Sequence, residues 1–456
     1  MTESLKSPLP PDSAIPETTN RRKLRRVAAA SSIGTTIEFY DFFVYGIAAA
    51  LVFPAVFFPG TDPATGTIAS FAIFAVAFFA RPVGAALFGH FGDRIGRKRT
   101  LVWTLLIMGL ATVAIGLLPG YSSGVFGFFT GGIGIWAPAL LVSMRFLQGF
   151  AVGGEWAGAT LLTAEYAPQG QRGRYAVFPQ LGPAFAFFLA SGTFLAVALT
   201  VGDRSAAFLE YGWRIPFILS FALVGVGLWV RLTVEETPVF TAQLELDGKS
   251  DRISKGIPFF DVIRDQWREV LLAAGALASL FSLFYMGTSF LTSYGSSMNL
   301  GRPFILGMGM VAAVVFGVST AVSAVWSDRI GRRRLILVSC GLAVPWSLAL
   351  FPLLDTGSRS AFAVGLLGTL IIFGVAYGPA GALLPELFHA RHRYTGAGLA
   401  YNLAGILGGA IPPILAAKLI VSGPTIFVGV MLSALSAVSV LCTMAMSETK
   451  DREIQP

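Results

Sequence analysis

Gly89-His-Phe-Gly-Asp93-Arg94-Ile-Gly96-Arg97-Lys98-Arg99 and Ser327-Asp328-Arg329-Ile-Gly331-Arg332-Arg333-Arg334 are two copies of one charged loop, and each follows a long apolar run. A second pair travels with them. Glu165-Tyr-Ala-Pro168 has Arg172 seven residues after its glutamate, and Pro385-Glu386-Leu-Phe388 has Arg393 at the same spacing. Two matched pairs in matched positions imply that the chain is a duplicated unit. Repeated halves are a mark of secondary transporters. On either side of these loops, each stretch of about 20 apolar residues is long enough to cross a bilayer. Twelve such stretches lie at roughly 27–58, 66–91, 101–119, 137–166, 174–201, 214–233, 269–297, 304–327, 335–354, 361–387, 394–421 and 425–446. The expected fold is therefore all-α and integral to the membrane, with twelve transmembrane helices in two pseudo-symmetric six-helix halves. The divisions are a disordered basic tail at 1–26, a first half at 27–233, a linker at 234–268, a second half at 269–447 and a short tail at 448–456.

Composition agrees. Hydrophobic residues make up 54% of the chain and charged residues 13%, against about 25% charged in soluble domains. Mean hydropathy is +0.70. The net charge of +8 would suggest nucleic acid, but placement argues otherwise. With the N-terminus in the cytoplasm, 26 of the 33 lysines and arginines fall in cytoplasmic segments and four outside. That is the positive-inside pattern, with both termini cytoplasmic, and no nucleic-acid partner is expected. Arg21 to Arg26 before an apolar run imitates a signal peptide, but the run is too long and is interrupted by Glu38 and Asp41. Cys340 and Cys442 sit in apolar runs, and the three histidines, His90, His389 and His392, show no metal-ligand spacing. No metal site and no cofactor are expected.

The first loop resembles the G-x-L-a-D-R-x-G-R-K-x-x-L signature of the major facilitator superfamily at Gly89, Asp93, Arg94, Gly96, Arg97, Lys98 and Leu101, with Phe91 and Gly92 departing from it. More narrowly, the chain looks like the metabolite:proton symporter family. Ile37-Glu38-Phe39-Tyr40-Asp41-Phe42, Arg81-Pro82-Val-Gly84, Arg145-Phe-Leu-Gln148-Gly149, Gly153-Gly154-Glu155-Trp156, Trp213-Arg214-Ile-Pro216-Phe217 and Glu236-Thr237-Pro238 carry that likeness. The resemblance implies a bacterial inner-membrane permease, of a family that includes carriers of proline and betaine, shikimate, α-ketoglutarate and citrate. It also implies that Asp93, Arg94, Arg97, Glu165 and Arg172 form a cytoplasmic gating network, repeated by Asp328, Arg329, Arg332, Glu386 and Arg393. Simple anchoring of the loops by positive charge is the alternative.

Ionisable side chains at membrane depth cost roughly 2.5–3.5 kcal/mol each and are usually paired and functional. Glu38 and Asp41 lie three apart on one helix face. Arg81, Arg145 and Glu155 are similarly deep. Aligning Glu165 with Glu386 puts Ala376 opposite Glu155 and Leu366 opposite Arg145. All mid-depth acids thus lie in the first half, which is expected to carry proton coupling, while the second half shapes the substrate cavity. An ionised Asp41 can pair with Arg145, and protonation would release the arginine, or Arg81, to grip a substrate carboxylate. A permanent Asp41–Arg145 bridge, or a capping role for Glu38, are the structural alternatives. Tyr40, Tyr45, Trp156, Tyr285 and Tyr377 are candidate cavity aromatics, which an osmolyte cation would use; packing is their other reading. Gln180-Leu-Gly182-Pro183, Gly378-Pro379 and Gly408-Gly409-Ala-Ile-Pro412-Pro413 mark cavity wall or hinge. The expected function is proton-coupled uptake of a small carboxylate-bearing metabolite by a functional monomer in the bilayer. An exchange carrier without protons, or a membrane-embedded enzyme, are the rivals.

Overall fold

The computed structural model describes residues 17–452 apart from Gly96, 127–130, most of 154–169, Arg204, 234–257 and 390–392; side chains are also left undescribed at 17–28, 89–98, Arg231, Thr233 and 258–260. All regular structure among the described residues is helical. The elements are α1 (Glu17–Leu51), α2 (Phe53–Phe57), α3 (Pro63–Ile95), α4 (Arg97–Gly116), α5 (Trp136–Val152), α6 (Arg172–Val197) and α7 (Arg214–Thr233). After the undescribed 234–257 come α8 (Pro258–Tyr285), α9 (Leu291–Ser297), α10 (Arg302–Ile330), α11 (Arg332–Leu354), α12 (Arg359–Leu387), α13 (Arg393–Ala404), α14 (Ile411–Ser422) and α15 (Ile426–Ala445).

Among the described residues, ten helical rods are long and apolar enough to cross a membrane. The two remaining stretches expected to span are α1, whose 35 residues include a basic first part, and α5, a shorter apolar helix described only to its end at Val152. Residues 17–26, expected as disordered tail, are instead the first turns of α1; Arg, Lys and Leu are good helix formers, and the apolar part beyond them supplies the anchor. Residues 258–268, expected as linker, are likewise helical. They join the apolar part of α8 through a kink at Gln266, whose φ of −134° breaks the helix.

The rod from Asp261 to Ser297 has 89% of its apolar window buried, against 33% for α15. The former is therefore central and the latter faces outward. Helix α6 lies along both α1 and α10, while α3 packs on α5 and on α13 and α14. The centre is filled by rings: Phe42, Phe74, Phe78 and Tyr285 contact one another with centroids 4.8–5.8 Å apart.

Two local features position the site. First, α3 and α5 meet backbone to backbone. A Cβ on Gly84 would stand 1.8 Å from the carbonyl oxygen of Phe150, one on Gly149 would stand 2.2 Å from that of Ala77, and one on Gly153 would stand 2.0 Å from that of Arg81. Gly149 and Gly153 are four apart, the small-xxx-small spacing that lets membrane helices approach closely. Second, the rod of α13 and α14 widens into a π-helical segment at Gly405–Ala410. Pro412 and Pro413 have no amide to offer the carbonyls four residues back, Gly408 and Gly409, so the hydrogen-bond ladder shifts there. A second π-helical segment, Met286–Phe290, follows Tyr285. By contrast, α6 runs unbroken through Pro179 and Pro183, and α12 through Pro379.

Arg214 is fully buried at the start of α7. Its guanidinium donates to the carbonyls of Glu210 (2.9 Å), Gly116 (3.0 Å), Leu118 (2.5 Å) and Gly124 (3.0 Å), and it stacks on Trp213. It thus caps the end of α4, where helix carbonyls lack partners. Arg214→Ala leaves those carbonyls unpaired; a loss of about 2–4 kcal/mol is expected, read as a lowered melting temperature in detergent.

Candidate functional site

The mid-depth charges converge. Helix α1 supplies Glu38 and Asp41, α3 supplies Arg81, and α5 supplies Arg145; all four are at most 4% exposed. The close contact of α3 with α5 brings both arginines to the Phe42 ring. The Arg145 guanidinium carbon is 4.5 Å and the Arg81 carbon 5.0 Å from that ring's centroid. Arg145 also lies over Tyr45 (4.1 Å) and Phe74 (4.8 Å) and donates to the Gln148 side-chain carbonyl (3.1 Å) and the Phe74 backbone carbonyl (3.4 Å). A guanidinium is weakly hydrated and stacks well on rings, so this aromatic box is a stable setting for it.

Asp41 is not in a closed salt bridge. Among the described residues, neither of its carboxylate oxygens has a hydrogen-bond partner, and no ion pair within 4.0 Å joins it to Arg145. Thr112 stands beside it, but the Thr112 hydroxyl already donates to the Met108 carbonyl (3.0 Å) and accepts from Gln148 (2.6 Å). Asp41 therefore faces the cluster without being bound into it.

Two adjoining cavities meet at these residues. One is lined by Glu38, Arg81, Val152, Gly153, Gly398, Tyr401 and Asn402. The other has Glu38, Asp41, Arg81, Arg145, Gln148 and Val152 in its wall. Each holds about 10 Å³, about one water molecule's room, whereas ligand sites run to roughly 300–1,000 Å³. Neither cavity has room for a solute in this conformation.

Contacts between helices before and after 234–257 stand at both ends of the bundle. At one end Arg172 reaches Glu386 (3.5 Å), which also pairs with Arg332 (3.1 Å) and accepts from Thr449 (2.8 Å). Asp328 pairs with Arg332 (2.8 Å) and accepts from the amides of Gly173 (2.8 Å) and Arg174 (2.9 Å). Its carboxylate therefore caps the positive end of α6. The segment expected as a short tail joins in: Arg172 donates to the Arg452 carbonyl (2.7 Å), Lys450 to that of Arg329 (3.0 Å), and Glu448 accepts from the Arg332 amide (2.9 Å). At the other end Arg302 donates to the carbonyls of Asp203 and Leu51 and lies over Phe208. Asp328→Asn removes the charge holding two amides and an arginine. A weakening of these contacts by about 1–3 kcal/mol is expected, seen as at least about fivefold faster alkylation of a cysteine placed at Ser327.

The other sequence-predicted residues divide. Tyr45 and Tyr285 border the arginine cluster. Tyr40 turns away, its hydroxyl donating to the Pro216 carbonyl (3.1 Å), and Tyr377 stacks on Phe373 outside both cavity walls. Arg393 is buried where α13 begins. Glu155, Trp156 and Glu165, and the side chains of Asp93, Arg94 and Arg97, lie outside the described residues. Sequence reasoning passed over Gln148, Thr112, Tyr401, Asn402 and the Glu448–Arg452 segment as site residues. Gln148 had a signal, its spacing of three from Arg145.

The sequence profile of the Major Facilitator Superfamily matches residues 32–413. The chain belongs to that superfamily. Among its relatives, the inner membrane metabolite transport protein YhjE of Escherichia coli (strain K12) is 42% identical over 94% of this chain and 95% of its own. The shikimate transporter of Escherichia coli (strain K12) is 37% identical over 87% and 88%. The proline/betaine transporter of Salmonella typhimurium (strain LT2) is 32% identical over 95% and 85%. In fold, the structure of the superfamily's proton:xylose symporter XylE is similar with a TM-score of 0.72 at 17% identity, covering 95% of this chain and 98% of that one. This superfamily member is a transporter and not an enzyme, and it is a multi-pass protein of the bacterial inner membrane.

Proposed function

We propose that this chain is a proton-coupled symporter that takes up a small carboxylate-bearing metabolite or osmolyte, such as proline or glycine betaine, shikimate or α-ketoglutarate, by alternating access. In this reading twelve spans form two six-helix halves on either side of 234–268, both termini are cytoplasmic, and the monomer is the working unit. The observation that carries the proposal is the state of Asp41: buried, beside Arg145, and with neither carboxylate oxygen hydrogen-bonded. An ionised carboxylate so placed has lost water without gaining donors, at a cost of several kcal/mol. When the cavity opens, water or Arg145 repays that loss. Closing the site around substrate therefore goes with a proton on Asp41, and opening to the other side goes with its release. Arg81 and Arg145 supply forked donors for a carboxylate. The relatives named for shikimate and for proline/betaine, and a fold neighbour named as a proton symporter, support the reading.

The test is uptake of labelled proline, glycine betaine, shikimate, α-ketoglutarate and citrate into cells lacking their own carriers, with and without an uncoupler. Accumulation of one compound that collapses with the uncoupler is expected. Equilibration that the uncoupler leaves untouched would overturn proton coupling in favour of simple exchange.

A further inference from the structure

The polar cavity contains a bond that the charged residues do not explain. The Asn402 side-chain amide donates to the backbone carbonyl of Gly153 at 2.9 Å, and both residues line the same cavity wall as Glu38 and Arg81. Asn402 is 4% exposed. Among the described residues it is the one side-chain amide in that wall, and it comes from α13, whereas Glu38, Arg81, Val152 and Gly153 come from before 234–257. Gly153 caps the end of α5. It is also held by backbone contact with Arg81, so its carbonyl is a fixed target. Three residues beyond Asn402 begins the π-helical segment Gly405–Ala410, and such segments mark places where a helix can deform.

We infer that Asn402 is the positioning residue that latches the unloaded central site shut. The inference rests on the alternating-access reading: a symporter has to return empty, and returning empty requires the site to close with no solute inside it. A closed empty site leaves buried polar groups facing one another, and each needs a partner. Asn402 provides one directly, its amide donating to the Gly153 carbonyl from the other half of the chain. Any solute entering between α5 and α13 has to break this bond. The latch is also suitably weak. A neutral amide–carbonyl bond contributes little net stability, so it closes the site without locking it, whereas a salt bridge at that point would hold the carrier closed.

The test needs no knowledge of the solute. Cys340 and Cys442 are replaced by Ala, and Val152, which lines both cavities, is changed to Cys. N-Ethylmaleimide is far larger than either cavity, so its rate of reaction with that cysteine in the ligand-free purified protein reports how often the site opens. Asn402→Leu and Asn402→Ala are expected to raise the rate five- to tenfold, in line with the loss of one such bond. Asn402→Gln, which keeps the amide, is expected to stay within about twofold of the parent, a rescue that a mere packing role would not give. Melting temperatures identify any variant that is simply unfolded, and the remaining variants then decide. Unchanged labelling in the Ala and Leu variants, or a Gln variant as fast as Leu, overturns the inference. Failure of the uptake panel with the labelling result intact would count against the symport reading alone.

Discussion

Asp41→Asn abolishes accumulation while sparing exchange. The expected result follows from the setting of this carboxyl. Asparagine is the neutral isostere of the protonated acid, so the variant mimics the loaded state: it fits the same space beside Thr112 and Arg145 and brings no charge into the closed site. Closure with substrate inside remains open to it, and with it the trade of inner for outer substrate. The variant cannot release a proton, so the proton gradient has nothing to act on. A proton-motive force of 150 mV corresponds to about 3.4 kcal/mol per proton, or roughly 300-fold accumulation. Native vesicles should approach that ratio, and Asp41→Asn vesicles should settle near unity while still exchanging labelled for unlabelled substrate. A variant that still concentrates substrate would remove Asp41 from the coupling step.

Gly84→Ala is expected to inactivate the carrier although it adds one methyl group and touches no charge. The new carbon would stand 1.8 Å from the Phe150 carbonyl oxygen, where a carbon ordinarily keeps about 3.3 Å. The obstacle is backbone, so no side-chain rotation relieves it, and α3 and α5 have to part by more than 1 Å. Arg81 rides on α3, Arg145 and Gln148 on α5, so the parting pulls the two arginines out of register around Phe42. A 1 Å displacement of positioned groups costs on the order of 100-fold in rate, and overpacking adds about 1–3 kcal/mol of destabilisation. Transport below about 1% of native and a lowered melting temperature are the expected pair of results. Normal uptake by Gly84→Ala would show that this helix contact is not what sets the arginine geometry. Ala85→Ser, one residue away, serves as the control.

The repeated Asp-Arg-Ile-Gly-Arg loops made the family legible, because a charge pattern recurring at matching membrane edges marks a duplicated half. The depth of Glu38, Asp41, Arg81 and Arg145 was legible because charge in an apolar run stands out. Their arrangement was less so. Phe42, Phe74 and Tyr45 form the box around Arg145, yet in a chain with 38 phenylalanines no single ring announces itself. The glycines that press α3 on α5 were visible only as family motif residues, because close approach depends on what lies opposite. Tyr40 is a candidate cavity aromatic by residue type alone, but neighbours in a helix point in different directions, and Tyr40 faces Pro216. Asn402 went unnoticed because a lone amide in an apolar span has meaning only once its acceptor is known.

Glu448, Thr449, Lys450 and Arg452 help to shut the end of the bundle where Glu386 and Asp328 sit. A protein without these four residues would leave Glu386 lacking its hydroxyl donor and Arg172 lacking the Arg452 carbonyl. The strength of that doorway is thus set partly by residues beyond the final membrane-crossing helix.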